Sequence, residues 1–164
     1  MAMKEEIKNF QTVQVDVTLS LDTSAYADGD VLAEMQAVEL DVGYNTQVGL
    51  RGTINYCEVV DKDDQGEALD VVFMDEEGSL GAVENAAVAI TDANAIKVIG
   101  NVVVSTYADF INSQIARPEF YPIPFNTDKT GTIYVGAISR GAGTYTAAGI
   151  VLRMGFTLDN VVKT

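Results

Sequence analysis

Residues 13–19 alternate strictly between apolar and polar side chains, and this period of two constrains the fold more than any other feature of the chain. Val13, Val15, Val17 and Leu19 point to one side of an extended backbone, and the polar residues between them point to the other. Alternation of this kind is typical of a β-strand that has one buried face and one wet face. The sequence therefore predicts a half-buried strand near its start.

Short apolar runs separated by turn residues continue along the chain. They predict further strands over residues 31–41, 48–61, 68–74, 98–106, 131–139 and 148–157. Residues 31–41 also fit helical spacing, but the strands that flank them favour a strand. Fourteen glycines against three prolines indicate many tight turns. Seven or eight short strands, with one brief helix capped by Thr91 or Asp92, predict an all-β fold, an antiparallel β-sandwich that is jelly-roll-like.

The strand over residues 48–61 carries the most specific expectations. The side chains expected on one of its faces are Leu50, Ile54, Tyr56 and Val60. Gly49 and Gly52 indicate either a bulge or a close approach by another part of the chain. The charged loop DKDDQGE follows, and we expect it to join this strand to residues 68–74 as a hairpin, with Leu69, Val71 and Phe73 inward.

All three prolines lie in the segment RPEFYPIPF, residues 117–125. Proline has no N–H for a β-ladder, so this segment is predicted to be an edge strand or an extended connector. Its large apolar side chains are Phe120, Tyr121, Ile123 and Phe125. A rigid extended segment loses little entropy on docking, which suits an interface, whereas the same side chains could instead cover one end of the core.

The chain is expected to divide into an N-terminal arm, residues 1–11, and a single β-sandwich domain, residues 12–164. The arm contains Phe10, which joins Phe120, Tyr121, Ile123 and Phe125 as a candidate interface residue. No run of apolar residues is long enough for a signal peptide or a membrane span, and this predicts synthesis in the cytoplasm.

Two acidic loops raise the question of a metal site. In DKDDQGE, Asp61, Asp63 and Gln65 match the spacing of a calcium loop, but Val72 stands where a bidentate carboxylate is required. In AYADGD, Asp28 and the glycine after it form a strong turn pair. Both loops are predicted to be solvated turns, so no metal ligand and no cofactor is expected.

Composition excludes several kinds of chemistry. The chain has no histidine and a single cysteine, Cys57, so imidazole catalysis, zinc sites built from histidine or several thiolates, and an intrachain disulfide are excluded. Cys57 is predicted to be a buried small apolar residue. The net charge of −14 disfavours binding to nucleic acid or to an anionic membrane. It either keeps the protein soluble or supplies an acidic face for a basic partner.

Three stretches carry a resemblance to a known family: TSAYADGDVL, TDANAIKVIGNVVV and IPFNTDKTGTIYVGAISRGAGTYTAAGIVLRMGF. In the same order, roughly from Ser24 to Asp159, they resemble small virion proteins of tailed bacteriophages, several of which are capsid decoration, or cement, proteins. The likeness rests on turns and aromatic residues and brings no catalytic residues with it. It implies a β-sandwich bound as trimers to the outside of an icosahedral head, where it bridges neighbouring major capsid proteins.

These observations predict a structural virion protein that is not an enzyme and has no catalytic residues. Its expected partners are the major capsid protein and copies of itself in a homotrimer, and its expected location is the outer surface of the capsid. Two alternatives stay open. One is a tail or baseplate structural protein with the same sandwich, and the other is a jelly-roll module that binds a glycan or calcium.

Overall fold

A computed structural model describes residues 11–40, 49–127 and 131–159. Within these ranges it contains ten β-strands and one short α-helix, so the predicted all-β class is confirmed. The elements are β1 (Gln11–Thr18), β2 (Val31–Glu39), β3 (Arg51–Asp61), β4 (Leu69–Met74), α1 (Asp92–Ala95), β5 (Val98–Val104), β6 (Ala108–Asp109), β7 (Gln114–Ala116), β8 (Ile123–Asn126), β9 (Thr132–Ser139) and β10 (Ile150–Asp159).

The strands form two antiparallel sheets. Sheet I has the order β1-β10-β3-β7-β6, with β8 also paired to β3, and sheet II has the order β2-β9-β4-β5. The first strand pairs with the last, β2 pairs with β9, β3 pairs with β7 and β8, and β4 pairs with β5. Such nested pairing is that of one long hairpin folded over into two sheets, which defines a jelly roll. The β-sandwich prediction is therefore confirmed, including its jelly-roll character.

One apolar core lies between the sheets. Its largest fully buried side chains include Phe73 from sheet II and Phe156 from sheet I. The alternating side chains of β1 follow the predicted pattern, since Val13, Val15 and Val17 pack against this core while the residues between them are exposed. β2 is a strand, as expected, although its sequence also fits a helix.

Residues 76–90, which we call the strap, cross the outer face of sheet II without forming a strand of their own. Leu80 of the strap packs with Val31 and Val72 in a second, smaller apolar cluster, and all three side chains are buried. This cover makes β4 a strand that is buried on both faces, because all six of its residues are buried.

Hydrogen bonds tie the strap to β2. The Glu34 carboxylate accepts a hydrogen bond of 2.7 Å from the Ser79 hydroxyl and one of 2.8 Å from the Leu80 N–H. The Val31 N–H donates to the carbonyl oxygen of Ala86 at 2.8 Å. The strap is thus anchored at both its beginning and its end.

The prediction that Leu50, Ile54, Tyr56 and Val60 share one face of β3 is wrong for the residues after Ile54. Ile54 lies opposite Phe156 and Tyr56 lies opposite Gly155, which leaves Asn55 as an extra residue in β3. A bulge of this kind moves every later side chain to the other face of the sheet. Leu50 and Ile54 are buried as expected, whereas Tyr56 is 39% exposed and Val60 is only partly buried. Cys57 and Val59 take the core positions instead.

The predicted hairpin between β3 and β4 is also wrong. β3 belongs to sheet I and β4 to sheet II, so residues 62–68 carry the chain from one sheet to the other. The buried Asp61 carboxylate shapes this crossing, because it accepts the N–H groups of Asp63, Gln65 and Gly66 at 2.9, 2.9 and 2.8 Å. The inward positions predicted for β4, Leu69, Val71 and Phe73, are confirmed.

The remaining local predictions agree with the structure. Thr91 caps α1 by accepting the Asn94 N–H, and β8 lies at the edge of β3 with Pro124 exposed. A Cβ at Gly52 would lie 2.9 Å from Cζ of Phe125, so the close approach expected there is present. The division into an arm and a domain stays a prediction, since residues 1–10 lie outside the described ranges. In the part of the chain that is described, no helix has the length and apolar character needed to cross a membrane.

Candidate functional site

A groove of about 800 Å³ runs along the open side of the sandwich. One wall is β5, the edge strand of sheet II, and the other is formed by residues 117–124, which lead into β8. Among the described strands, β5 pairs with β4 alone, and the backbone groups on its other side lie along the groove. The opposite wall contains Pro118, Pro122 and Pro124, whose backbone nitrogens cannot donate to β5.

Large apolar side chains are exposed along this side. Val103 is 61% exposed and Tyr121 is 77% exposed, and both line the groove. Phe110, at 58%, and Ile111, at 83%, lie in the turn between β6 and β7. We call these four residues the apolar rim. They are four of the seven large apolar side chains that are exposed in the described residues.

Phe110 also lines a smaller pocket of about 310 Å³ that adjoins the groove. The two concavities share Thr106 and Arg117, so the turn and the groove are immediate neighbours on the surface. The four residues of the apolar rim therefore lie on the same side of the molecule, with Val103 and Tyr121 on the groove and Phe110 on the adjoining pocket.

We call residues 109–113, which are the last residue of β6 and the turn to β7, the tip. The tip has an unusual backbone conformation. Ile111 has a φ of 77°, a left-handed conformation that a β-branched residue rarely adopts. Two hydrogen bonds hold it there: Asp109 Oδ1 accepts the Ile111 N–H at 2.6 Å, and the Phe110 N–H donates to the Ser113 carbonyl at 2.9 Å. Such a conformation costs on the order of 1–3 kcal/mol and is typical of functional sites.

Arg117 is the cation at the centre of this surface. Its side chain is 79% exposed, and it forms an ion pair with Glu58, whose side chain is only 8% exposed. Glu58 is paired a second time, with Arg153 Nη1 at 3.2 Å, and Arg153 in turn contacts Asp16 at 3.1 Å. The network fixes Arg117 between the groove and the outer face of sheet I.

The outer face of sheet I carries a polar pocket of about 430 Å³ beside this network. Tyr56 lines it, lies against Gly155, and donates a hydrogen bond of 2.9 Å from its hydroxyl to Gln14 Oε1. Arg153 and Glu58 line the same pocket. These polar groups bond chiefly to one another, so the pocket is a preorganised polar surface.

Carboxylates of the two acidic loops accept hydrogen bonds from the backbone. In the loop between β1 and β2, Asp22 accepts the Ser24 N–H at 2.7 Å, and this hydrogen bond is the main reason that the pKa of Asp22 is lowered. In the loop after β3, Asp63 accepts the Thr146 N–H at 2.6 Å and the Thr146 hydroxyl at 3.0 Å. Within the described ranges, no group of three or more acidic or cysteine side chains is placed to hold a metal ion.

Two buried aromatic residues link the loop before β2 to the loop between β9 and β10. The rings of Tyr26 and Tyr145 lie 6.1 Å apart, and the Tyr26 hydroxyl donates a hydrogen bond of 3.1 Å to the Leu32 carbonyl. Burial raises the pKa of Tyr26 to about 12. Cys57 is buried as predicted, and burial raises the pKa of its thiol to about 12 as well.

The candidate interface residues divide between core and surface. Ile123 and Phe125 are 8% and 5% exposed, and Phe125 packs edge-on against Phe156 with ring centroids 6.1 Å apart. Phe120 packs partly buried against Phe73 at 6.5 Å. Tyr121 is exposed on the groove, and Phe10 lies outside the described residues. The structure thus leaves Tyr121 as the described candidate that a partner could reach, and its contact with a partner stays a prediction.

Val103, Phe110, Ile111 and Arg117 were not among the site residues predicted from the sequence. A signal for the tip was present, because the stretch ADFINS places two large apolar residues between turn-forming Asp109 and Asn112. Apolar residues in a tight turn have no core within reach, which is a reason to look for an external partner.

Comparison with known proteins does not assign this chain to a family. No family model and no curated protein matches the chain. Among solved structures, the chain is similar to one from the X-ray structure of tomato aspermy virus, with 9% sequence identity, 94% of this chain and 80% of that chain covered, and a TM-score of 0.45. At this TM-score the match carries no weight in the argument about function.

Proposed function

We propose that this chain is a structural virion protein, a decoration protein that binds as a homotrimer to the outside of a tailed-phage head and stabilises contacts between major capsid proteins. The observation that carries the proposal is the apolar rim beside Arg117 on an otherwise acidic molecule. Tyrosine and arginine are enriched among the residues that dominate binding energy at protein interfaces, and aromatic residues are enriched at interfaces generally.

The charge distribution supports an adhesive role for this side of the molecule. The groove is lined by one cation, Arg117, and one anion, Glu119, so its lining is neutral, whereas the whole chain carries a net charge of −14. Interface cores are depleted in charged residues relative to the rest of a surface. The acidic remainder keeps unassembled copies soluble and apart.

The jelly roll supplies the mechanical part of the proposal. Its core is closed between two sheets, and the apolar rim is carried on strand edges and short turns rather than on long loops. A rigid carrier of this kind loses little conformational entropy when it docks. Copies joined in a trimer bind a repetitive capsid surface through several contacts at once, so each contact can be modest.

Binding to isolated heads tests the proposal. Heads assembled from the major capsid protein of the same genome are mixed with the purified chain and sedimented, and the chain is expected in the pellet. Tyr121→Ser is expected to reduce the bound fraction, while Val83→Ser, at a position on the strap that is 72% exposed, is expected to leave it unchanged. A chain that stays in the supernatant, or cryo-EM density for it in the tail, contradicts the proposal.

The polar pocket of sheet I favours a second candidate, a glycan-binding module. Tyr56 offers a partly exposed ring of 39%, and Gln14, Glu58 and Arg153 surround it with hydrogen-bonding groups. A glycan array distinguishes the two functions. Binding of a glycan that Tyr56→Ala abolishes supports the module, whereas an array without signal together with binding to heads supports the decoration protein.

A further inference from the structure

The tip and the groove of one molecule carry complementary groups. We propose that copies of this chain bind one another directly, with the tip of one copy seated in the groove of the next. This inference rests on the proposed function, because it names the surface through which the homotrimer would form.

Apolar complementarity is the first argument. The tip presents Phe110 and Ile111, which are 58% and 83% exposed, and the groove presents Val103 and Tyr121, which are 61% and 77% exposed. A groove of about 800 Å³ lies in the range of concavities that hold a drug-sized ligand, and it therefore has room for two side chains. Burying these four residues together removes from water four of the seven large apolar side chains that are exposed in the described residues.

Charge complementarity is the second argument. Asp109 at the tip is exposed, and it forms no ion pair with any described residue. Arg117 in the groove has a side chain that is 79% exposed. A tip that enters a neighbouring groove brings an unpaired carboxylate to an exposed guanidinium, which fixes orientation and excludes partners of the wrong charge.

The conformation of the tip is the third argument. Ile111 is held at a φ of 77°, although a glycine there would avoid the strain. The isoleucine side chain contributes little to the folded monomer, since it is 83% exposed. Keeping a strained, exposed isoleucine is understandable if its side chain is buried in a contact with another copy.

The tip and the groove are different patches of the same molecule, so the contact between copies is heterologous. The two patches adjoin each other through Thr106 and Arg117, so both halves of the contact lie on the same side of each molecule. A heterologous contact forms a ring when its rotation closes, and a ring of three copies is the arrangement that the proposed homotrimer requires. Among the described strands, β1 forms the opposite edge of sheet I.

Mass measurement in solution tests the contact without any capsid. The purified wild-type chain is expected to self-associate in analytical ultracentrifugation or light scattering as its concentration rises, reaching three times the monomer mass. Phe110→Ser is expected to raise the dissociation constant about ten-fold or more, because it removes a buried anchor. Ile96→Ser, at a position beside α1 that is 85% exposed, is the control and is expected to associate as wild type does.

Ile111→Gly distinguishes a role of Ile111 in self-association from a role in the stability of the monomer. Relief of the left-handed strain is expected to raise the melting temperature of the monomer, while loss of the side chain raises the dissociation constant about ten-fold. A residue needed only for folding would not give these opposite effects. Equal association of Ile111→Gly and wild type would overturn the proposal.

Removal of one charge at a time tests the pairing of Asp109 with Arg117. Arg117→Met is expected to weaken association because it removes the guanidinium from the groove, and Glu58 still has Arg153 as a partner in this variant. Asp109→Asn keeps the acceptor for the Ile111 N–H and removes only the charge, so it should weaken association without altering the melting temperature.

A wild-type chain that stays monomeric at every concentration would overturn the contact. The proposed function fails independently, by absence of binding to heads, so the two results are distinguishable. A chain that binds heads while remaining monomeric in solution would retain the virion role and reject the tip-in-groove contact.

Discussion

The outer faces of the two sheets are built in different ways. The outer face of sheet II is covered by the strap, where Leu80, Val31 and Val72 are buried together. The outer face of sheet I is polar and is not covered by any described segment like the strap. Its ion pairs connect Asp16, Arg153, Glu58 and Arg117. One face is therefore a second small core, and the other is a charged surface.

The difference between the two faces explains why apolar and polar residues alternate in β1 but not in β4. β4, covered on both sides, is apolar at five of its six positions, LDVVFM, whereas β1, covered on one side, alternates strictly. Antiparallel sheets tolerate water on one face, so their strands need apolar residues only where something packs against them. A run without alternation in an antiparallel strand indicates that another segment covers it, and here that segment is the strap.

The largest effect on the free energy of unfolding is expected from Leu80→Ala, which tests whether the strap and sheet II enclose a packed apolar cluster. Leu80 is 1% exposed, so the substitution is expected to lower the free energy of unfolding by about 2–4 kcal/mol in urea denaturation. Val83→Ala, at a strap position that is 72% exposed, is expected to change it by no more than about 0.5 kcal/mol. Equal effects of the two substitutions would show that the strap is not packed.

A smaller effect is expected from Glu34→Ala, which tests the attachment of the strap. The substitution removes the acceptor for the Ser79 hydroxyl and the Leu80 N–H, and it is expected to cost about 1–3 kcal/mol of unfolding free energy. Glu34→Gln retains one side-chain acceptor oxygen and should fall between wild type and Glu34→Ala. A stability unchanged by Glu34→Ala would mean that packing alone holds the strap.

On the outer face of sheet I, Arg153→Ala is expected to lower the free energy of unfolding by less than Glu34→Ala does, because the Arg153 side chain is 41% exposed and Glu58 keeps Arg117 as a partner. Thermal unfolding measured at low and at high salt checks this expectation. The difference between variant and wild type should shrink as salt screens the exposed pair with Asp16. A loss as large as that of Leu80→Ala would remove the distinction between the two faces.

The smallest effect at neutral pH is expected from the ionisation of Tyr26, which lies in the loop that joins sheet I to sheet II. Its pKa is raised to about 12 when folded, against 10.0 for an ordinary tyrosine, so above pH 10 the unfolded chain loses the proton first. Stability is therefore complete below pH 10 and declines as the pH rises towards 12. Urea unfolding from pH 9 to pH 12 checks this, with Tyr26→Phe as the control, whose decline should be shallower.

Much of the fold was predictable from local pattern. The alternation from Val13 to Leu19 predicted β1, and proline placed β8 at an edge. The crossing at residues 62–68 was not predictable, because turn residues show where a chain reverses but not which sheet it enters. That choice depends on β9, which pairs with β4 from far along the sequence. The bulge at Asn55 was missed because it does not fall on a glycine.

The candidate site was predictable in part. In the stretch FYPIPF, Tyr121 is exposed whereas Ile123 and Phe125 are buried, so the two alternatives considered for this segment apply to different residues. Alternation alone would place all three side chains on one face, but the strand begins only at Ile123. The groove itself was not predictable, because it exists only where β5 of sheet II meets residues 117–124 beside sheet I. Contacts between two sheet edges are set by the topology, and no single stretch of sequence records them.

The pairing of β1 with β10 has a practical consequence for labelling. Gln11 lies opposite Leu158, at the edge of sheet I that is farthest in strand order from β6 and the tip. A probe attached at Gln11 and one attached at Asp159 would both lie at this single corner. Such probes would report on assembly from the edge of sheet I that is opposite the tip in strand order.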